Sequence, residues 1–129
     1  IAALNLGCSQ ATGVDIDPKA VDVAYENAAL NSIGRDRYAV RAGDVLSDKA
    51  LVEELAQTGP YDLVLANIVA DVIIPLSAQV GRFLSGHGLF ICSGIIDTRA
   101  DEVQAALEKN GLRILERLEK DGWCAFSAM

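Results

Sequence analysis

The run Leu63-Val64-Leu65-Ala66 is apolar at every position, so a strand here offers hydrophobic side chains to both of its faces. A strand with one wet face would alternate. A strand without alternation belongs in a parallel sheet covered by helices on both sides, and Leu63–Ala66 is read as such a fully buried strand. Parallel neighbours cannot be joined by tight turns, so the rest of the chain must supply further strands separated by helices.

The sequence supplies that alternation. Ala11–Asp15 reads as a short buried strand, and Pro18 to Asn31 repeats apolar residues at Val21, Ala24, Tyr25 and Ala28, the helical spacing, before Asn31 and Gly34 end it. Tyr38–Ala42 is predicted as strand and Asp48–Gln57 as helix, capped by Ser47 and broken by Gly59-Pro60. Past Asn67 a helical segment is expected to reach about Leu84, restarted or kinked at Pro75 and closed by Ser85-Gly86-His87-Gly88. Leu89–Ser93 is the next buried strand. Asp97 or Thr98 would cap a helix that turns Val103, Ala106 and Leu107 inward and stops at Asn110-Gly111. Ile1–Leu6 before Gly7 reads as the last turns of a helix already under way. The end changes character: Leu112–Glu119 and Trp123–Ala128, joined at Lys120-Asp121-Gly122, can only form an antiparallel hairpin. The fold class is α/β, a mostly parallel sheet with a C-terminal antiparallel hairpin, expected as one domain over residues 1–129.

Charge narrows the function. Eighteen acidic against eleven basic residues give −7, which argues against a broad grip on nucleic-acid phosphates. No apolar stretch approaches the roughly 20 residues that span a bilayer, and no signal peptide opens the chain, so a cytoplasmic protein without membrane attachment is expected. Cys8, Cys92 and Cys124 have no metal or redox spacing, and Cys92 and Cys124 fall in apolar runs where thiols behave as small hydrophobes. No metal site is expected. His87 reads as a solvated turn residue, and Tyr25 and Trp123 as packing residues, with Trp123, just past the hairpin turn, partly exposed. Without a Ser/His/Asp set or a lysine after a glycine-rich loop, hydrolase and phosphotransferase readings have little support.

Asp15, Asp44, Asn67 and Gly94 stand just past strand ends, on what the order of elements makes one rim of the sheet. Ligands of open parallel sheets sit at that rim. Asp17 precedes Pro18, a favoured first helical residue, and is expected to cap the N–H of Ala20 or Val21. Asp15 is then free to accept from two vicinal hydroxyls, as a ribose clamp would, although a solvated acid ending an ordinary βα unit has the same pattern. Gly43 would let the backbone approach a planar ring whose exocyclic amine the Asp44 carboxylate could accept from; a turn aspartate is the plain alternative. Asn67 offers an uncharged acceptor and donors, suited to an amine nucleophile approaching a cationic carbon, or simply to a strand-end turn.

The order Gly13-Val14-Asp15-Ile16-Asp17-Pro18, then Ala42-Gly43-Asp44, then Leu63-Val64-Leu65-Ala66-Asn67-Ile68, then a terminal hairpin resembles the catalytic domain of class I S-adenosylmethionine-dependent methyltransferases. It is most similar to the PrmA family, methyltransferases of ribosomal protein L-eleven. Glu26-Asn27-Ala28 with Asn31, the segment Leu65 to Val72 with Ile74-Pro75-Leu76, and Ser93-Gly94-Ile95-Ile96 leading to Ala100-Asp101-Glu102-Val103 carry that closer likeness. The resemblance implies a Rossmann-like sheet and an S-adenosylmethionine-dependent protein N-methyltransferase acting on lysine and N-terminal amines of a ribosomal protein. It implies cofactor contacts at Asp15, Ile16, Asp44, Val45 and Asn67, with Asp15 on the ribose, Asp44 near the adenine, and Asn67 as the catalytic residue that orients the acceptor amine. The family's first strand, its glycine-rich loop and its N-terminal substrate-presenting domain have no counterpart in these residues. The chain is accordingly read as an N-terminally truncated catalytic domain that would neither fold independently nor bind cofactor strongly.

Two rivals compete with this reading. A nicotinamide-dependent oxidoreductase also places an acid at the end of its second strand, but a dinucleotide domain repeats parallel βα units and does not end in a hairpin. A non-catalytic scaffold that kept the fold is the other, and the presence of Asp15 and Asn67 weighs against it.

Overall fold

The computed structural model describes residues 1–129, which pack as two compact units, Ile1–Leu51 and Val52–Met129.

In the first unit a short helix α1 (Ala2–Asn5) ends at Gly7, whose φ of +119° only glycine adopts readily. Strand β1 (Ala11–Asp15) pairs in parallel with β2 (Tyr38–Ala42), from Ala11 opposite Tyr38 to Asp15 opposite Ala42. Helix α2 (Pro18–Leu30) connects them, and Asp17 caps it by accepting from the Lys19 N–H at 2.9 Å, not from the expected Ala20 or Val21. Leu4, Ala28 and Ile33 are buried together, with Ile1, Cys8, Ala11 and Tyr38 packed around them. β1 is less buried than its sequence predicts: Thr12, Val14 and Asp15 are exposed in its alternating pattern.

Helix α3 (Lys49–Thr58) follows, with Asp48 rather than Ser47 at its start: the Asp48 carboxylate accepts from the Leu51 N–H at 3.1 Å. A carboxylate three residues back reaches that orphan N–H, and Ser47 lies one residue too early.

The second unit is a four-stranded sheet in the order β3-β4-β6-β5, formed by Tyr61–Asn67, Leu84–Ile96, Trp123–Ala128 and Ile114–Lys120 respectively. β3 and β4 are parallel; β6 is antiparallel to both β4 and β5, so the hairpin threads its second strand between them. Asp121 (φ +53°) and Gly122 (φ +85°) form its turn, both in the left-handed region that a two-residue hairpin with matching twist requires. Helices α4 (Ala70–Ser77) and α5 (Ala100–Lys109) bring Ile73, Leu76, Val103 and Leu107 into the core with Phe90, Cys92 and Ile95 of β4 and Cys124 and Phe126 of β6. Each of the aliphatic and phenyl side chains among these contributes about 1.5–3 kcal/mol by leaving water.

Three expectations fail here. Leu65 is 59% exposed, because within this unit α4 and α5 cover one sheet face and Leu65 lies on the other. The segment Ser85-Gly86-His87-Gly88 does not close a helix but lies inside β4: Tyr61 pairs with Leu84 and Leu63 with Leu89, and the surplus residues are absorbed by a shift of register. α4 itself stops at Ser77, with Pro75 in its last turn, and a 3-10 turn at Val80–Arg82 leads to β4. α5 has no side-chain cap: a 3-10 turn of Asp97–Arg99 runs into it instead of an Asp97 or Thr98 cap. No helix is long and apolar enough to cross a membrane.

Candidate functional site

The four rim positions divide between the units. Asp15 and Asp44 belong to the first, Asn67 and Gly94 to the second.

Asp15 is the last residue of β1 and is exposed. Its Oδ1 accepts from the Asp17 N–H at 2.9 Å, so the acid is not wholly free, as the sequence implies, but keeps its second oxygen available. That bond also fixes the carboxylate's direction. The backbone oxygen of Asp15 accepts from the Gly43 N–H at 2.9 Å, which ties the end of β1 to the turn that follows β2. Ile16, next in the chain, is 70% exposed, a large apolar side chain beside an acid.

Gly43 has φ +156°, and a Cβ there would stand 2.8 Å from Leu51 Cδ2 and 3.2 Å from Asp48 Oδ2. Only glycine fits the turn without moving the start of α3. Asp44 is half-buried; its Oδ1 accepts from the Leu46 N–H at 2.9 Å, and its backbone oxygen accepts from Asp48 N–H at 2.8 Å. The Val45 N–H between them has no acceptor in the protein. A carboxylate oxygen and an unpaired N–H on consecutive residues match a ring that offers a donor beside an acceptor.

Asn67 ends β3, is exposed, and its carboxamide makes no hydrogen bond within the protein. It lies against the backbone of Gly94, and the Ile68 N–H donates to the Ser93 carbonyl at 3.2 Å, so the turn after β3 is bonded to β4. An exposed carboxamide with no internal partner keeps its acceptor and both donors open to water or to a ligand.

An ion-pair cluster that the sequence did not single out stands on the same side of the second unit. Arg99, between β4 and α5, reaches Asp71 in the first turn of α4 at 3.0 Å and grips Glu102 at 2.6 and 3.2 Å. The hydrogen bond to Arg99 holds the Glu102 carboxyl below its ordinary range. The i,i+3 spacing of Arg99 and Glu102 was legible; the reach to Asp71, 28 residues away, was not. His87 is exposed in the first half of β4, away from Asn67 and Gly94.

The family model described as ribosomal protein L11 methyltransferase (PrmA) matches residues 1–129. The chain is 43% identical over 126 residues to the ribosomal protein L11 methyltransferase of Ruminiclostridium cellulolyticum, covering 97% of this chain and 37% of that protein. It is 38% identical over 123 residues to that of Dictyoglomus thermophilum, covering 95% and 37%. Among solved structures, the ribosomal protein L11 methylase of Lactobacillus delbrueckii subsp. bulgaricus superposes with a TM-score of 0.86 at 29% identity, over 99% of this chain and 61% of that one. The chain thus spans about two fifths of the length of the curated relatives it matches.

Proposed function

The chain belongs to the ribosomal protein L11 methyltransferase (PrmA) family and has its Rossmann-like α/β fold, and from that premise we propose that residues 1–129 are part of the catalytic domain of an S-adenosylmethionine-dependent protein N-methyltransferase. The observation that carries the reading is the pairing of Asp15 with the Gly43-Asp44 turn through the 2.9 Å bond from Gly43 N–H to Asp15 O. It sets a directed carboxylate oxygen beside a glycine turn and a second acid, at the carboxyl ends of two parallel strands.

These residues fit the nucleoside of that cofactor. Asp15 would accept from the ribose hydroxyls with its unengaged oxygen; Asp44 would accept from the adenine amine, the Val45 N–H would donate to the neighbouring ring nitrogen, and Ile16 would cover apolar surface. When bound, S-adenosylmethionine supplies an electrophilic methyl on a sulfonium. Asn67 orients the incoming amine: its carboxamide oxygen accepts an N–H of the neutral amine and leaves the nitrogen lone pair to attack. A lysine amine with a pKa of about 10.4 must first lose a proton, at about 4.6 kcal/mol at pH 7, and no side chain is assigned to take it. The proton leaves to solvent before attack, and the chain's contribution is orientation.

The names of the relatives support a ribosomal protein as acceptor; a lysine side chain and the N-terminal amine, modified in the cytoplasm, belong to this proposal alone. The net charge of −7 is consistent with recognition of protein rather than of nucleic-acid phosphates. The antiparallel β6 between β4 and β5 weighs against the nicotinamide alternative, whose sheet repeats parallel units. Methyl transfer by the full-length protein to a ribosomal protein, followed by mass spectrometry, tests the reading. Mass gains in 14 Da steps (about the mass of one CH2, the gain when CH3 replaces a nitrogen-bound H) on amines support it, and no transfer with cofactor demonstrably bound contradicts it.

A further inference from the structure

β4 carries one residue too many against β6. Cys92 stands opposite Phe126 and Ile95 opposite Cys124, so Ser93 and Gly94 occupy the space that Ala125 alone fills on the other strand. Such a bulge bends its strand and re-aims what lies next to it, and Gly94 takes the φ of +78° that the bulge imposes. The group next to it is Asn67: a Cβ on residue 94 would stand 2.5 Å from Asn67 Oδ1 and 3.2 Å from the Ile68 N and O. No side chain fits there while the carboxamide holds its position. Asn67 meanwhile has no hydrogen bond to hold its carboxamide, so what confines it on this side is the bare backbone of Gly94.

We propose that Gly94 is a positioning residue for Asn67: the bulge and the missing side chain together leave the notch in which the carboxamide lies, and thereby set the direction in which it presents its acceptor. The inference rests on the role of Asn67 proposed above. The same physical chemistry explains why an alanine would not serve: its methyl would push Oδ1 aside, and misplacement of an orienting group by about 1 Å costs on the order of a hundredfold in rate.

The test uses the full-length protein as wild type, Gly94→Ala, Gly94→Asn, Asn67→Ala and the double variant Asn67→Ala/Gly94→Ala. Turnover, cofactor affinity by calorimetry, thermal midpoint, and the Asn67 side-chain amide resonances by NMR are measured on each. Gly94→Ala is expected to lower kcat about tenfold to a hundredfold, to leave the cofactor Kd within about twofold, and to shift the Asn67 amide resonances. Asparagine tolerates positive φ, so Gly94→Asn should lose kcat equally with a smaller fall in midpoint, which separates the added side chain from backbone strain. The double variant should be no slower than Asn67→Ala alone, because the two substitutions remove one and the same function. Additive losses in the double variant, or a Gly94→Ala protein with wild-type kcat and unmoved Asn67 resonances, would overturn the proposal. If Gly94→Ala does not fold, recovery of folding in the Asn67→Ala background supports the contact and lack of recovery overturns it. Should Asn67→Ala keep wild-type kcat while Gly94→Ala still shifts the Asn67 resonances, the role of Asn67 in turnover fails but the notch stands.

Discussion

The backbone N–H of Asp17 donates to Oδ1 of Asp15 at 2.9 Å, while the Asp17 carboxylate turns the other way and accepts from the Lys19 N–H at 2.9 Å. Two acids one residue apart thus have separate tasks: Asp17 opens α2 and, through its amide, aims Asp15. Because the bond to Asp15 comes from the backbone, it survives removal of the Asp17 side chain. Asp17→Ala should therefore lower stability by about 1 kcal/mol, the usual worth of an N-cap, with cofactor affinity within about twofold of wild type. Thermal unfolding and calorimetry on the same sample check both halves.

Tyr25 in α2 closes an edge of the first unit. Its hydroxyl accepts from the Val40 N–H in β2 at 2.8 Å, satisfying a backbone donor on a residue only 6% exposed. Tyr25→Phe leaves that donor without a partner, and a loss of about 1–2 kcal/mol is expected in denaturant unfolding. An unchanged midpoint would show that water replaces the hydroxyl at no cost.

Cys92 makes stability depend on alkaline pH. Burial pushes its thiol up from 9.0 to about 11, an effect to which the neighbouring Cys124 adds. Below pH 9 both folded and unfolded forms keep the proton, so the group contributes nothing to the slope. Between pH 9 and 11 the unfolded chain releases the proton and the folded protein holds it, so stability falls as pH rises, by roughly 2 kcal/mol in all. Cys92→Ala should remove most of that slope while costing packing at every pH. A slope equal to that of wild type would place the alkaline sensitivity elsewhere.

How much of this was legible in the sequence depends on how local each cause is. β1 and β2 begin and end where their glycines, acids and apolar runs predict, and the Asp121-Gly122 turn is settled by two residues that accept positive φ. The start of β4 was not legible, because Ser85 to Gly88 has turn composition and is held in the strand only by the flanking pairs, Leu84 with Tyr61 and Leu89 with Leu63, more than twenty residues apart in sequence. The exposure of Leu65 and the notch at Gly94 have the same origin. Each depends on which face a distant helix covers, or on a register shift between β4 and β6 that neither strand shows by itself. Asp15, Asp44 and Asn67 were legible as candidates because strand-end polar residues between apolar runs and helices stand out; their hydrogen-bond partners did not.

Asn67→Ala separates orientation from binding. Its carboxamide has no structural bond to lose, so folding should be little affected. Turnover should fall by one to two orders of magnitude or about 1.4–2.7 kcal/mol, at a rate of 1.36 kcal/mol per tenfold, with cofactor affinity much less changed. An equal loss in both would remove Asn67 from the role of orienting the amine.

A ribose of S-adenosylmethionine held by Asp15 is read out by calorimetric titration of the full-length protein. Wild type and Asp15→Ala are each titrated with S-adenosylmethionine and with NAD. Binding of S-adenosylmethionine and not of NAD is expected, with a loss of roughly 1.5–3 kcal/mol in Asp15→Ala, the worth of hydrogen bonds to a charged group, and only a small fall in unfolding midpoint, because the Asp17 N–H that loses its acceptor is exposed to water. Binding of NAD in place of S-adenosylmethionine, or the same affinity for S-adenosylmethionine with and without the Asp15 carboxylate, would contradict it.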